Sequence, residues 1–247
     1  MTANDMSLSK RYRKTALELQ AQVAEANAET LDTLGARIGE SIIHEGVLHL
    51  FGSGHSQILA AEMERRAGGL VPISSILDPA DGWAEQIPGF GNKLFDRYAF
   101  IYGVRAGDFI LVISNSGKNC SPLEVAHAAK AHGMKVVALT SLSMSANVAS
   151  LHPSGLRLFE MADYVLDNGG IAGDAALELP DSPLKVGPTS TMTGAMLLNL
   201  LHVAIIDYLV EQGIDPLPIY ISQNLPEGAE HNRRLCRKYA NRIRKPI

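Results

Sequence analysis

The chain has 247 residues, of which 46% are hydrophobic and 19% are charged, as in an ordinary globular protein with a sizeable core. Its formal net charge of −4 gives no basic field to attract nucleic acid. No apolar segment follows the basic N-terminal residues, and no wholly apolar stretch reaches about eighteen residues. We therefore expect a cytoplasmic protein without a nucleic-acid or membrane partner, with Cys120 and Cys236 as free thiols.

The first predicted element is helical. Between about Leu8 and Ile43 the apolar residues recur at spacings of three and four, which keeps one stripe of a helix buried. Either one long helix or two end-to-end helices fit this pattern.

Short apolar strands then alternate with helical stretches. The predicted strands are 47–51, 71–76, 107–113, 135–139 and 163–166, and a helix is expected over 121–132. Continuous apolar strands separated by helices are typical of a parallel sheet covered on both faces. The pattern predicts an α/β fold, a three-layer α/β/α sandwich around a five-stranded parallel sheet.

The last predicted elements are two helices. Segment 191–209 has almost no polar face, so we expect it to be buried or to lie in an oligomer contact. The tail 224–239 is amphipathic and is expected to form a helix opened by Pro226 and Glu227. Segments 77–93, which holds the single tryptophan, and 167–188 are expected to be irregular. The apolar helices indicate a homodimer or homotetramer with sites near subunit interfaces.

Small hydroxyl and glycine residues follow three of the strands: GSGHS at 52–56, SNSGKN at 114–119 and TSLS at 140–143. Ligands of open parallel sheets bind beyond the carboxyl ends of the strands, and a helix that begins there attracts anions. The first loop is not a P-loop, and Gln57 stands where a dinucleotide fingerprint has its third glycine. We therefore predict a phosphate site for a small metabolite, without a metal or a cofactor. Taken alone, SNSG also fits a serine-capped turn.

Together these motifs resemble the SIS (sugar isomerase) domain over about residues 35–212. The resemblance is stronger to an uncharacterised SIS-domain family related to phosphoheptose isomerase, which shares FGSGHS, ISNSGKN, ADYVLDNGG, KVGPTST and EHNRRL. It implies a flavodoxin-like winding and a single SIS domain over 1–247, with a helical extension at 8–44 and a helical tail at 224–247.

The resemblance also implies which residues bind a sugar phosphate. They lie in the first loop, in the S-x-S-G-x-T-like loop, where Asn119 replaces the usual threonine, and at the start of the late helix. The ligands that the resemblance implies are Ser56, Ser114, Asn115, Ser116, Asn119, Thr189, Ser190 and Thr191. From the loops themselves we add Ser53, Gly54 and the amide of Gly117.

Aldose–ketose isomerisation needs a group that moves a proton between the two carbons, and the candidates are Glu62, His55, Glu85 and His231. Glu62 is four residues before Arg66, so a surface ion pair is the alternative explanation for it. His55 lies in a glycine loop at a strand end, which favours contact with a ligand. A late histidine such as His231 often serves a site across a subunit boundary in SIS enzymes.

The predicted function is therefore a sugar-phosphate isomerase that acts through an enediol. The resemblance leaves two alternatives: a sugar-phosphate sensor without activity, or an etherase-like lyase acting on N-acetylmuramic acid 6-phosphate. The first forty or so residues are acidic to neutral and too rich in alanine for a DNA-binding helix-turn-helix. This composition favours the enzyme over a transcriptional sensor.

Overall fold

A computed structural model describes residues 6–243 and contains one five-stranded parallel sheet. The strands are β1 (Leu48–Gly52), β2 (Ile73–Ile76), β3 (Phe109–Ile113), β4 (Lys135–Thr140) and β5 (Tyr164–Asp167). They pair in the order β2-β1-β3-β4-β5, the flavodoxin-like winding. All five predicted strands are present, with ends that differ by one or two residues.

The helices of the described residues are α1 (Leu8–Ile43), α2 (His55–Met63), α3 (Phe90–Tyr102), α4 (Cys120–Ala131), α5 (Leu142–Ser145), α6 (Leu158–Met161), α7 (Ser190–Glu211) and α8 (Gly228–Lys238). The N-terminal stripe forms one continuous helix, and the tail helix begins just after Glu227. The sequence did not predict α3, the one-turn helices α5 and α6, or a hairpin of β6 (Leu177–Glu178) and β7 (Lys185–Val186) within segment 167–188, which was expected to be irregular.

The sheet is buried between two helical layers, which confirms the α/β/α sandwich. Alternate residues of β1 face opposite sides: Leu48 and Leu50 pack with α1, α2 and α7, whereas Phe51 packs with α3 and α4. Because both faces are covered, β1 and β3 are buried along their whole length. Their continuous apolar runs follow from this double coverage.

Helix α7 packs along α1 over much of its length. A Cβ on Gly35 would lie 2.7 Å from the Ala204 carbonyl oxygen, so the two backbones approach too closely for a larger residue. Helix α7 is the one helix of residues 6–243 that is long and apolar enough to cross a membrane on length and composition alone. Its Leu197, Leu201 and Ile205 are buried in the core, as in a central helix of a folded domain.

A buried polar network lies at the amino end of the sheet. Asp108, next to the start of β3, accepts hydrogen bonds from Arg242 and from the backbone N–H of Val47, the latter at 3.1 Å. His49 lies 3.2 Å from the same carboxylate and 2.7 Å from the Tyr98 hydroxyl. Burial lowers the pKa of His49 and outweighs the opposing effect of Asp108. The network therefore joins the C-terminal tail to β1, β3 and α3 through a single carboxylate.

Candidate functional site

A pocket of about 380 Å³ opens at the carboxyl edge of the sheet, where the loops after β1 and β3 meet residues 77–89, hereafter loop 77–89. Its size is within the range of small-molecule sites. The lining residues are Ser53, Gly54, His55, Ser56, Asp81, Gly82, Trp83, Glu85, Ser114, Asn115, Ser116, Asn119 and Met144. Two of the hydroxyl-rich loops found in the sequence therefore form walls of one pocket.

The loop after β1 brings the start of α2 to the pocket wall. Gly54 has a φ of 54°, and α2 begins at the next residue, His55. The positive end of the helix dipole lies there and favours an anion. Ser56 lines the pocket, and its hydroxyl has no hydrogen-bond partner among residues 6–243. This hydroxyl is available to a ligand.

The loop after β3 is held in shape by Ser114 and Gly117. The Ser114 hydroxyl accepts a hydrogen bond of 3.2 Å from the Gly117 N–H. Gly117 has a φ of 58°, and a Cβ there would lie 2.5 Å from the Ser145 hydroxyl oxygen. Its amide is thus used within the loop, and Gly117 is not one of the pocket-lining residues. The Ser116 hydroxyl, like that of Ser56, lines the pocket without a partner in the described part of the chain.

Asn115 is held by hydrogen bonds from residues at the carboxyl ends of β4 and β5. Its carbonyl oxygen accepts hydrogen bonds from the Ser141 N–H at 3.1 Å and the Thr140 hydroxyl at 3.2 Å. Its side-chain oxygen accepts one from Asn168 at 3.0 Å. The third hydroxyl-rich loop, at 140–143, therefore supports the second loop, and the pocket reaches that region only at Met144.

Two of the four predicted catalytic residues are carboxylates, Glu62 and Glu85, and of these two Glu85 lines the pocket. Asn119 donates a side-chain hydrogen bond of 2.5 Å to Glu85, and the Glu85 carbonyl accepts the Ser121 N–H at 2.9 Å. Burial raises the pKa of Glu85 and nearby Asp78 adds to the increase, outweighing the opposing effect of Ser53. A half-buried carboxylate with a raised pKa is suited to proton transfer.

Asp78 ties loop 77–89 to the loop after β1. Its carboxylate accepts hydrogen bonds from the Ser53 hydroxyl at 2.5 Å and from the backbone N–H groups of Ala80 and Gly82 at 2.9 and 3.0 Å. Gly82, with a φ of 87°, lies against Gly54: a Cβ on it would come within 3.0 Å of the Gly54 Cα. The carboxylate thereby places Glu85 beside the two serine loops.

A comparison with family models matches residues 11–141 to the SIS domain. The chain belongs to the SIS-domain family. The match begins within α1.

Relatives of this SIS protein share most of its length. A UPF0309 protein of Listeria monocytogenes is 38% identical over 228 residues, covering 92% of this chain and 95% of the relative. Among solved structures, a phosphoheptose isomerase from Francisella tularensis has a TM-score of 0.57 at 18% identity and covers 83% of this chain and 98% of its own. The Vibrio vulnificus NanR protein complexed with ManNAc-6P has a TM-score of 0.51 at 18% identity, and the match covers 84% of this chain and 64% of the NanR chain. These two structures share the SIS fold.

Glu62 lies outside the pocket of this SIS domain. It forms an ion pair with Arg66 on α2, and the side chains of both residues are about half exposed. The surface ion pair between Glu62 and Arg66, which their spacing of four residues offered as the alternative explanation, is therefore present. Because solvent screens the two charges, such a pair contributes only about 0.3–0.5 kcal/mol to stability.

The two predicted catalytic histidines lie in different places. His55, the first residue of α2, is exposed and lines the pocket. His231 lies on α8, where its Nε2 is 3.0 Å from the Ile219 carbonyl oxygen, and it does not line the pocket of the single chain.

Thr189 and Ser190, predicted as phosphate ligands, are bound to a carboxylate of the chain itself. Asp174 accepts hydrogen bonds from the N–H groups of both residues, at 3.0 and 2.9 Å, and from both hydroxyls, at 3.2 and 2.6 Å. Thr191, on the first turn of α7, is exposed. None of these three residues lines the pocket. Asp174 caps the start of α7, where they were expected to bind an anion.

Asp174→Asn should lower the free energy of unfolding by about 1 kcal/mol, since it removes the charge at the start of α7 and one hydrogen-bond acceptor. Asparagine tolerates the left-handed backbone of Asp174, whose φ is 51°. Asp181→Asn is the matched control, because Asp181 has a φ of 54° and is exposed. Urea unfolding of the three proteins measures the difference, and equal losses in both variants would contradict the capping role.

Five residues of the site were not predicted as site residues from the sequence: Asp78, Asp81, Gly82, Trp83 and Met144. The first four belong to loop 77–89, which was expected to be irregular. The turn-forming residues of Pro79–Ala80–Asp81–Gly82, directly before the single tryptophan, were a signal that this segment has a defined conformation.

Proposed function

We propose that the chain binds a phosphorylated sugar and interconverts its aldose and ketose forms. Glu85 carries this proposal: a carboxylate with a raised pKa shares a pocket with two unpartnered serine hydroxyls and the start of α2. The hydroxyls of Ser56 and Ser116 and the helix dipole suit a phosphate. The carboxylate suits the abstraction of a proton next to a carbonyl.

In the proposed mechanism the Glu85 carboxylate takes the proton from the carbon beside the carbonyl and returns it to the neighbouring carbon through an enediol. The hydrogen bond from Asn119 orients the carboxylate. His55 is the proposed group that moves the hydroxyl proton, because it lines the same pocket and its side chain is exposed to a ligand.

The names of the structural neighbours agree with this class of ligand. One neighbour is a phosphoheptose isomerase, and another, NanR, is complexed with ManNAc-6P. The likeness in fold does not separate an isomerase from a sensor, whereas the placement of Glu85 in the pocket favours an enzyme.

The test is incubation of the purified protein with pentose, hexose, heptose, amino-sugar and muramyl phosphates, following ketose and lactate by chromatography. We expect aldose–ketose conversion of at least one compound. Lactate release would replace the isomerase with an etherase. Thermal stabilisation by a sugar phosphate without turnover would replace it with a sensor.

Ser116→Ala should weaken binding of the sugar phosphate that the panel identifies by about 0.5–1.5 kcal/mol, because one hydroxyl contact is lost. The free energy of unfolding should change little, since this hydroxyl has no partner within residues 6–243. Ser154→Ala, at an exposed position outside the pocket, is the control. Calorimetric affinities that are equal in wild type and Ser116→Ala would contradict the phosphate site.

We further propose a homodimer or homotetramer with sites near subunit interfaces. The outer side of α7 exposes Leu200, Val203 and Val210, apolar residues that contact between subunits would remove from water. Sedimentation velocity tests this assembly state.

A further inference from the structure

Trp83, the single tryptophan of the chain, lines the candidate pocket and has 92% of its surface exposed. Tryptophan is highly buried on average because its ring is large and mostly apolar. A ring left in water at the mouth of a polar pocket is therefore unusual.

The exposure of Trp83 does not come from an unconstrained backbone. Its N–H donates to the Ala80 carbonyl at 2.9 Å, and the Glu85 N–H donates to the Gly82 carbonyl at 3.2 Å. The preceding turn is held by the Asp78 carboxylate and by the contact of Gly82 with Gly54. Loop 77–89 thus carries the indole on a hydrogen-bonded backbone two residues before the proposed base.

The other pocket walls are polar, formed by hydroxyl, amide and carboxyl groups, with Met144 as the other large apolar side chain among the lining residues. Hydroxyls bind the oxygens of a phosphorylated sugar but leave its C–H face uncovered. An aromatic face carries negative charge density and attracts such C–H groups, while the contact removes apolar surface from water. Apart from the smaller and polar His55 imidazole, assigned above to proton transfer, the indole is the one aromatic face in the pocket lining.

We propose that Trp83 stacks on the C–H face of the sugar ring, so that the site prefers ring-forming hexose and heptose phosphates over short open-chain phosphates. This inference rests on the proposed binding of a phosphorylated sugar. Trp83 then determines specificity beside Glu85, while the serine loops bind the phosphate.

Because the chain has one tryptophan, its fluorescence reports on this contact directly. Titration with glucose 6-phosphate and sedoheptulose 7-phosphate should shift the emission to shorter wavelength as the ring leaves water. Inorganic phosphate and glycerol 3-phosphate should leave the emission unchanged.

Variants test the energetic contribution by calorimetry. Trp83→Ala should weaken binding of the ring-forming phosphates about fivefold to tenfold, with unchanged affinity for inorganic phosphate, and Trp83→Phe should recover part of the loss. Phe100→Ala is the matched control, because Phe100 is 91% exposed but lies on α3 outside the pocket lining.

The outcomes separate the two proposals. If wild-type protein binds ring-forming phosphates and Trp83→Ala binds them equally well, the stacking role is wrong and the proposed function stands. If wild-type protein binds no sugar phosphate, the proposed function fails. An emission maximum that depends on protein concentration in ligand-free buffer would show that a second copy covers Trp83, which also overturns the stacking role.

Discussion

Glu85→Gln is expected to lower kcat by about 10²- to 10⁴-fold, the usual contribution of a general base. Glutamine keeps the size of the side chain and can still accept the hydrogen bond from Asn119, so the loop should stay in place. The affinity for the sugar phosphate should therefore stay close to that of wild type. Stopped assays of ketose formation and calorimetric binding measure the two quantities separately.

The pH dependence of the wild-type enzyme gives a second readout of the same group. Glu85 acts as a base only when ionised, and burial raises its pKa above 4.5. We expect kcat to fall with decreasing pH along a limb centred above pH 4.5, and this limb should be absent from the residual activity of Glu85→Gln.

Glu62→Gln is the matched control, because it makes the same substitution in the other candidate carboxylate. Glu62 is paired with Arg66 at the surface, so its variant should retain activity. An active Glu85→Gln would contradict the assignment, and a simultaneous loss in Glu62→Gln or His231→Asn would move the base to that residue.

Strand positions and the loops after them were predictable because each depends on local sequence. Buried parallel strands require apolar runs such as Phe109–Ile113, and turns that lead into helices require glycine and small hydroxyl residues. Ser56 and Ser116 were found in this way. Parallel pairing then brings the ends of β1 and β3 to the same edge.

The identity of the base was not predictable in the same way, because it depends on tertiary contacts. Glu62 and Glu85 have the same side chain, and only folding separates a surface ion pair from a half-buried carboxylate near Asp78. The capping of α7 by Asp174 was not predictable for the same reason. Nothing in the sequence near Thr189 reveals that a carboxylate fifteen residues earlier caps the helix.

Asp108→Ala is expected to lower the free energy of unfolding by about 3–5 kcal/mol, the cost of removing one partner of a buried ion pair. The variant leaves Arg242, His49 and the N–H of Val47 without this acceptor. The Asp108 side chain is 2% exposed, so water replaces little of the loss. Urea unfolding followed by circular dichroism measures the change.

Asp163→Ala is the matched control for this effect. Asp163 likewise lies next to the start of a strand and accepts a backbone hydrogen bond, from the Val136 N–H at 2.8 Å, but its side chain is 23% exposed and its lysine partners reach water. The Asp163→Ala substitution should lower the free energy of unfolding by about 1 kcal/mol. If Asp108→Ala is too unstable to purify, Asp108→Asn, which keeps the shape and one acceptor oxygen, gives the measurable comparison.

The dependence of this stabilisation on pH tests whether the charge of Asp108 is responsible. Burial alone would raise its pKa, but the hydrogen bonds from His49 and Arg242 outweigh burial and hold the pKa below its usual value. The stabilisation is therefore complete above the unfolded-state pKa of about 3.9 and is lost as pH falls through the lower, folded-state pKa. The stability difference between wild type and Asp108→Asn should be constant from pH 7 to about 5 and narrow below about pH 4. A difference that already narrows between pH 7 and 5 would mean that a group other than this carboxylate carries the charge that matters.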